Sequence, residues 1–227
     1  MAAAGALAWC APAPAPVVPA VARAFGLPRR LPHADGVALT FDDGPHPQGT
    51  PAVLEALARA RATATFFLVG ENVERFPGLS REIVDAGHEV AIHGHRHVLL
   101  LRRPPRAIAR DLDRATAAIG EATGRAPTLY RPPYGVLGIA ALALVRARGW
   151  RPLLWSRWGR DWVGRETPAA IARRATAGLE PGDVVLLHDA DHYSSPGSWR
   201  RTAAALPQVL DAVAALGVPC VSVTQST

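Results

Sequence analysis

Two adjacent carboxylates, Asp42 and Asp43, leave an apolar run in the stretch Thr40-Phe41-Asp42-Asp43-Gly44-Pro45. Neighbouring side chains can point in different directions, so one carboxylate can ligate a cation while the other stays free as a base. A solvated turn is the competing reading, because Asp-Gly-Pro is good turn chemistry. Further along stands His93-Gly94-His95-Arg96-His97. On a helical turn, His93 and His97 share one face and suit a divalent metal. In an extended segment His93, His95 and His97 would share a face instead. A surface histidine tract is the plain alternative. With a carboxylate, two of these imidazoles make a site with open positions that accepts zinc, and also iron, cobalt or nickel.

Three more positions carry usable groups. Arg131 opens the stiff stretch Arg131-Pro132-Pro133-Tyr134-Gly135 and can grip a carboxylate in a fixed fork, in a site or in a structural ion pair. His188 ends the apolar run Val184 to Leu187, and an imidazole can protonate a leaving amine. Asp161-Trp162 could supply a carboxylate to that imidazole and an indole to wall a small pocket.

The elements that must position these groups follow from periodicity. Short apolar runs read as buried strands at Val37 to Phe41, Ala64 to Val69, Glu89 to Ile92, Thr128 to Tyr130, Pro152 to Trp155, Asp183 to Leu187 and Pro219 to Val223. Helical periodicity fills the gaps near 51–60, 72–86, 104–122, 138–148, 168–178 and 200–216. Thr50-Pro51 and Thr167-Pro168 read as an N-cap followed by proline in the first helical turn. Strands alternating with helices argue for a parallel sheet with right-handed crossovers. About seven strands fit an incomplete or distorted (β/α) barrel, with an open doubly wound sheet as the alternative. The candidate residues then fall at the carboxyl ends of strands, where sites of such folds lie.

The chain has 227 residues, a formal charge of +6 and a sequence pI near 10.5. All 25 basic residues are Arg, scattered rather than in a run or an aromatic-interleaved stripe, which argues against nucleic-acid binding. Cys10 and Cys220 follow no metal-ligand spacing and imply no disulfide framework. The first 22 residues carry no charged side chain and are rich in Ala and Pro. Residues 1–35 therefore read as a separate apolar segment, a tail or the remnant of an anchor, ahead of a domain spanning 36–227. Its first 22 residues hold no positive n-region of the kind a secretory signal wants. Membrane or cell-wall association, a place in the cell envelope or outside the cytoplasm, and a monomeric state are the expectations.

Taken in order, these motifs resemble the polysaccharide deacetylases that share the NodB homology domain, carbohydrate esterase family four, over roughly residues 36–225. The resemblance implies a metal-dependent hydrolase that removes N-acetyl or O-acetyl groups from a sugar in a cell-envelope or chitin-like glycan. A deacylase of a small or lipid-linked acylated metabolite is the alternative. One divalent ion is implied, zinc first, with Asp43, His93 and His97 as ligands. Asp42 is then the general base, with Arg131 orienting it. His188 is the general acid, with Asp161 tuning it. Tyr134 lies in the loop whose backbone N–H helps hold the oxyanion, and Trp162 and Leu186 line the acetyl pocket.

The chain departs from the family pattern at three places. Gly94 stands where the family usually has a hydroxyl that braces the metal loop, and His95 adds an imidazole that competes with His97. Trp158 stands where an acidic residue is usual. The stretch Asp191-His192-Tyr193-Ser194 has no role that the resemblance supplies; shaping a substrate groove and forming a surface loop are both open.

Overall fold

The computed structural model describes residues 9–224. Its strands are β1 (Ala38–Asp42), β2 (Thr65–Leu68), β3 (Glu89–Ile92), β4 (Leu129–Tyr130), β5 (Arg151–Pro152), β6 (Arg157–Trp158) and β7 (Val184–His188). They form one sheet in the order β5-β4-β3-β2-β1-β7-β6, and every pairing is parallel. The two outer strands are successive pieces of one stretch of chain. Leu153 N–H bonds to Tyr130 on the β4 side, and Ser156 N–H bonds to Val184 on the β7 side. The sheet therefore curls round, and residues 151–158 lie across its gap. This is the distorted (β/α) barrel that strand counting predicts.

The central strands are apolar on both faces because helices cover the outside and side chains fill the inside. All five residues of β1 are buried, the Asp42 carboxylate included. Helices Gly49–Ala60, Pro105–Thr123, Ile139–Ala147, Pro168–Thr176 and Ser198–Ala214 match predicted segments. The segment predicted near 72–86 is two helices, Gly70–Arg75 and Pro77–Asp85. Pro77 cannot donate an N–H to a continuing helix, so the axis breaks at Phe76.

Three local expectations need correction. Pro219–Val223 is not a strand; it makes a single bridge, Cys220 to Val37. Both edges of β1 are already taken by β2 and β7, so no ladder was available to it. The run instead closes the amino end of the barrel, where Thr63 Oγ1 donates to Cys220 O at 2.9 Å. The predicted strand Pro152 to Trp155 keeps only Pro152, in β5, and the seven-strand count is completed by β6, Arg157–Trp158, because this run divides between the two sheet edges. Thr50 lies inside its helix and is not a cap. The first turn is satisfied by His46, whose Nδ1 accepts from Gln48 N at 3.1 Å and Gly49 N at 2.9 Å. Thr167 does cap, accepting from Ala170 N at 3.2 Å.

The described part of the apolar amino-terminal segment packs on the barrel. Ala15, Ala22, Leu27 and Leu31 are buried in the common core, and Arg30 pairs with Asp183 at 2.8 Å. Residues 1–8 of that segment lie outside the described residues. Among the described residues, no helix is long and apolar enough to cross a membrane.

Candidate active site

The strand register brings the candidate residues to one end of the barrel. β1 lies between β2 and β7 with Asp42 opposite His188, and β3 pairs with β4 through Ile92 and Tyr130. The next residues along the chain, Asp43, His93 and Arg131, therefore emerge side by side. Asp43 takes a left-handed conformation, φ 77°, which turns its side chain away from the strand direction. A non-glycine residue held there is strained, a condition that clusters at functional sites.

Asp43 Oδ1 lies 3.5 Å from His93 Nε2 and 3.3 Å from His97 Nε2. These three side chains bring one ligand-type atom each within 4.8 Å of one another. His93 is fixed by its other nitrogen, Nδ1, at 2.8 Å from Arg131 O, which leaves Nε2 aimed at Asp43. His97 lies between two rings, stacked on Tyr193 at 4.5 Å and edge-on to Tyr134 at 4.4 Å. His95 points elsewhere: its Nε2 is 3.1 Å from Glu74 Oε1. Of the competing histidines, the structure thus gathers His93 and His97 with Asp43 and leaves His95 out.

The path between the two is neither the helical turn nor the extended run that spacing suggests. Gly94 has φ 86°, and the loop beyond it is held by Asp111, whose carboxylate accepts from His95 N at 2.8 Å and Arg96 N at 3.2 Å. Nothing in the local sequence announces a brace from Asp111, 16 residues downstream of His95.

Arg131 is fully buried and organises Asp42. Its Nη1 donates to Asp42 Oδ1 at 2.6 Å and to Thr40 Oγ1 at 2.9 Å. Nε and Nη2 donate to the Leu153 and Leu154 carbonyls at 3.2 and 3.0 Å, and the guanidinium lies 3.9 Å over the Phe67 ring. A buried guanidinium needs such partners, because an unpaired one would be costly. Asp42 Oδ2 is left facing the cavity, 3.8 Å from His93 Nε2.

His188 is the counterpart on β7. Asp161 Oδ2 accepts from His188 N at 2.7 Å and from Thr202 Oγ1 at 2.7 Å, and Asp161 Oδ1 lies 3.0 Å from His188 Nδ1. Nε2 is thereby turned to the cavity, 4.0 Å from Asp43 Oδ2. Burial alone would lower the pKa of His188. The charge of Asp161, its hydrogen bond and the nearby Asp43 and Asp42 outweigh burial and push it up to about 10. His97 goes the other way: burial, aided by the charges of His93 and His188, lowers it to about 4 against the pull of Asp43. Burial would raise Asp43, but His93 close beside it and the charges of His188 and His97 hold it down to about 2. The site thus keeps one imidazole neutral beside a carboxylate and another charged. Environments that push titrating groups apart mark acid–base assignments.

These groups line a cavity of about 270 Å³, walled by Trp155, Trp158, Trp162 and Leu186. Trp162 meets His188 edge-on at 5.4 Å, and Trp158 lies between Trp155 and Trp162. Tyr134 stands at the rim with φ 61°, 55% exposed, on the loop beside His97. A larger cavity of about 590 Å³ lies beside the Pro19–Ala24 helix, lined by Arg29, Arg30 and Ser156, with no carboxylate or imidazole among its lining residues. Chemistry, rather than size, picks out the smaller one.

Sequence reasoning missed four supporting residues: Thr40, Asp111, Tyr193 and Asp189. Asp189 is fully buried, and its burial and the charge of Asp43 push its pKa up to about 7. It accepts from the Thr50 hydroxyl and packs against Gly44, where a Cβ would come within 2.5 Å of its carboxylate. His46, Asp191 and His192 also gather three ligand-type atoms. His46 Nδ1 accepts two N–H groups, so its proton sits on Nε2, 3.2 Å from Asp191 Oδ1. That second cluster is a hydrogen-bonded brace, not a donor set aimed at a cation.

The profile of the polysaccharide deacetylase family matches residues 30–153. The chitooligosaccharide deacetylase of Sinorhizobium fredii is 37% identical over 193 residues, covering 82% of this chain and 89% of that one. A crystal structure of the peptidoglycan N-acetylglucosamine deacetylase Bc1960, bound to a 4-naphthalenyl-N-hydroxybenzamide, superposes with a TM-score of 0.83 at 26% identity, covering 90% of this chain and 94% of that one. The family 4 carbohydrate esterase of Streptomyces lividans, in complex with acetate, superposes with a TM-score of 0.74 at 31% identity, covering 82% of this chain and 91% of that one. Profile, pairwise identity and barrel agree with the motif order, and the chain belongs to the polysaccharide deacetylase family, carbohydrate esterase family four.

Proposed function

We propose that this chain is a metal-dependent N-deacetylase of amino-sugar glycans, with Asp43, His93 and His97 holding one divalent ion. The observation that carries the metal is Asp43 Oδ1. It is buried, it has no hydrogen-bond partner among the described residues, and two imidazole Nε2 atoms face it at 3.5 and 3.3 Å. An ionised, unpaired buried oxygen is unfavourable unless a cation completes it. The donor set, two imidazoles and one carboxylate, suits zinc first, and cobalt, nickel or iron also. The second nitrogen of His93 rests on a carbonyl, as a ligating histidine's does. When bound, such an ion supplies Lewis-acid polarisation of the acyl oxygen and lowers the pKa of water from about 15.7 to about 7.

The chain's own groups divide the remaining work. Asp42, held by Arg131 through Oδ1, accepts the proton of the attacking water on Oδ2. A C–O bond forms at the acyl carbon, and the loop at Tyr134 offers a backbone N–H to the oxyanion; losing one such donor costs about 3 kcal/mol of barrier. The C–N bond then breaks as His188 delivers the Nε2 proton to nitrogen, so that an amine leaves rather than an amide anion. Asp161 keeps that proton available. Trp162 and Leu186 wall the space for the acetyl methyl group and keep water from it. The substrate class rests on the relatives: one acts on chitooligosaccharides and another on peptidoglycan N-acetylglucosamine, and both names share an acetamido sugar.

Acetate release from acetylated chito-oligosaccharides and from peptidoglycan tests this reading. Asp42→Asn should bind metal and lose turnover; a near wild-type rate would remove Asp42 as the base. His97→Ala should lose stoichiometric metal while His95→Ala keeps it, and the reverse result would refute the ligand set.

A further inference from the structure

His93 and His97 are held in different ways. His93 has its second nitrogen on a carbonyl, whereas His97 Nδ1 is buried with no hydrogen-bond partner among the described residues. A ligating histidine ordinarily donates its other N–H to a fixed acceptor, and that bond sets the ring orientation. Without it, rotation about the last side-chain torsion would carry Nε2 away from Asp43. The local sequence offers no substitute, because Gly94 has no side chain.

We infer that Tyr193 is the positioning residue for His97, clamping by ring stacking the imidazole that no hydrogen bond fixes. This rests on the reading that His97 ligates the metal. The two ring planes are 11° apart with centroids at 4.5 Å. Tyr134 closes the same imidazole from the edge, at 64°. Tyr193 is itself anchored: its hydroxyl donates to Glu71 Oε1 at 2.7 Å and accepts from Asn72 Nδ2 at 3.3 Å.

Those anchors belong to the Gly70–Arg75 helix, which also holds the other parts of the ligand set. Asn72 Nδ2 donates to Asp43 O at 2.9 Å. Gly70 N and Glu71 N donate to the Gly94 and His95 carbonyls, each at 2.9 Å. Position 70 must be glycine for this approach, since a Cβ there would come within 2.9 Å of the His95 ring. One short helix thus ties the Asp43 backbone, the histidine loop and Tyr193 together. The otherwise unassigned stretch after His188 gains a function: it delivers an aromatic face to a ligand.

Zinc affinity, measured by competition with a chromophoric chelator, tests this without recourse to turnover. Tyr193→Leu removes the flat face and should weaken zinc binding about 10- to 100-fold, the range seen when outer-shell partners of ligands are lost, while Tyr193→Phe keeps the face and should stay within about 3-fold of wild type. Tyr193→Met, which fills the space flexibly, should lose as much as Leu and serves if the Leu variant does not fold. Metal-free melting temperatures that match wild type show the loss to be local. Leu and Met variants that bind zinc as wild type does would overturn the clamp and leave the proposed function standing. Equal zinc binding by wild type and His97→Ala would remove His97 from the ligand set, and the clamp with it.

Discussion

Replacing Asp161 with Asn should move the alkaline limb of the activity profile by a calculable amount. Asp161 is fully buried and lies 3.0 Å from His188 Nδ1. Asn keeps the shape and the bonds to Thr202 and the His188 backbone but removes the charge. With the charge centres about 4 Å apart and an effective dielectric near 20, the lost attraction is about 4 kcal/mol. At about 1.4 kcal/mol per unit, the His188 pKa should fall by about 3 units. The fall in kcat/KM at high pH, where His188 loses its proton, should shift down by the same amount. About two units above the variant's new limb, kcat/KM should be about 100-fold below wild type, while well below that limb it should stay within about two-fold. Stability carries the same signature. The folded-state pKa of about 10 lies above the unfolded value near 6.5, so the contribution is complete below about 6.5 and is lost as pH rises through about 10. Denaturant unfolding of metal-free protein should show that decline in wild type and a flatter one in Asp161→Asn. A variant with a native melting curve and an unmoved alkaline limb would refute the assignment of His188 as the acid that Asp161 tunes.

Two other substitutions test the scaffold. Arg131→Met strands the Asp42 carboxylate and two carbonyls, and breaking a buried pair of this kind should cost about 3–5 kcal/mol, read by urea denaturation. An unchanged midpoint would show that Asp42 is not held by charge. Gly49→Ala should abolish soluble expression or lower the melting temperature sharply, because its Cβ would run into the Asp189 backbone carbonyl; wild-type stability would mean that this loop yields freely.

Much of this arrangement is legible in the sequence because a parallel strand ends where its apolar run ends. Asp42, Asp43 and His188 sit at such ends, and the next residues after β3 and β4 are His93 and Arg131. Position alone therefore gathers them. His97 is different. Gly94 at φ 86° breaks both periodicities, so spacing could not say whether His95 or His97 turns inward. The answer depends on Asp111 and the Gly70–Arg75 helix, contacts made far along the chain. Thr50 reads as a cap by its place before Pro51, yet it donates to Asp189, 139 residues away. Pro219–Val223 has the apolar character of a strand, but a strand also needs a free edge, and edges are a property of the whole sheet. Tyr193 shows no periodic signal at all; its importance comes from the ring it touches.

Acetate release by chelator-stripped protein, before and after zinc is added back, tests the central claim most directly. Acetylated chito-oligosaccharide serves as substrate, with metal content measured on the same samples. The stripped protein should be inactive, and activity should return and level off at one equivalent of zinc in wild type but not in His97→Ala. Full turnover by protein that contains no metal would contradict the account.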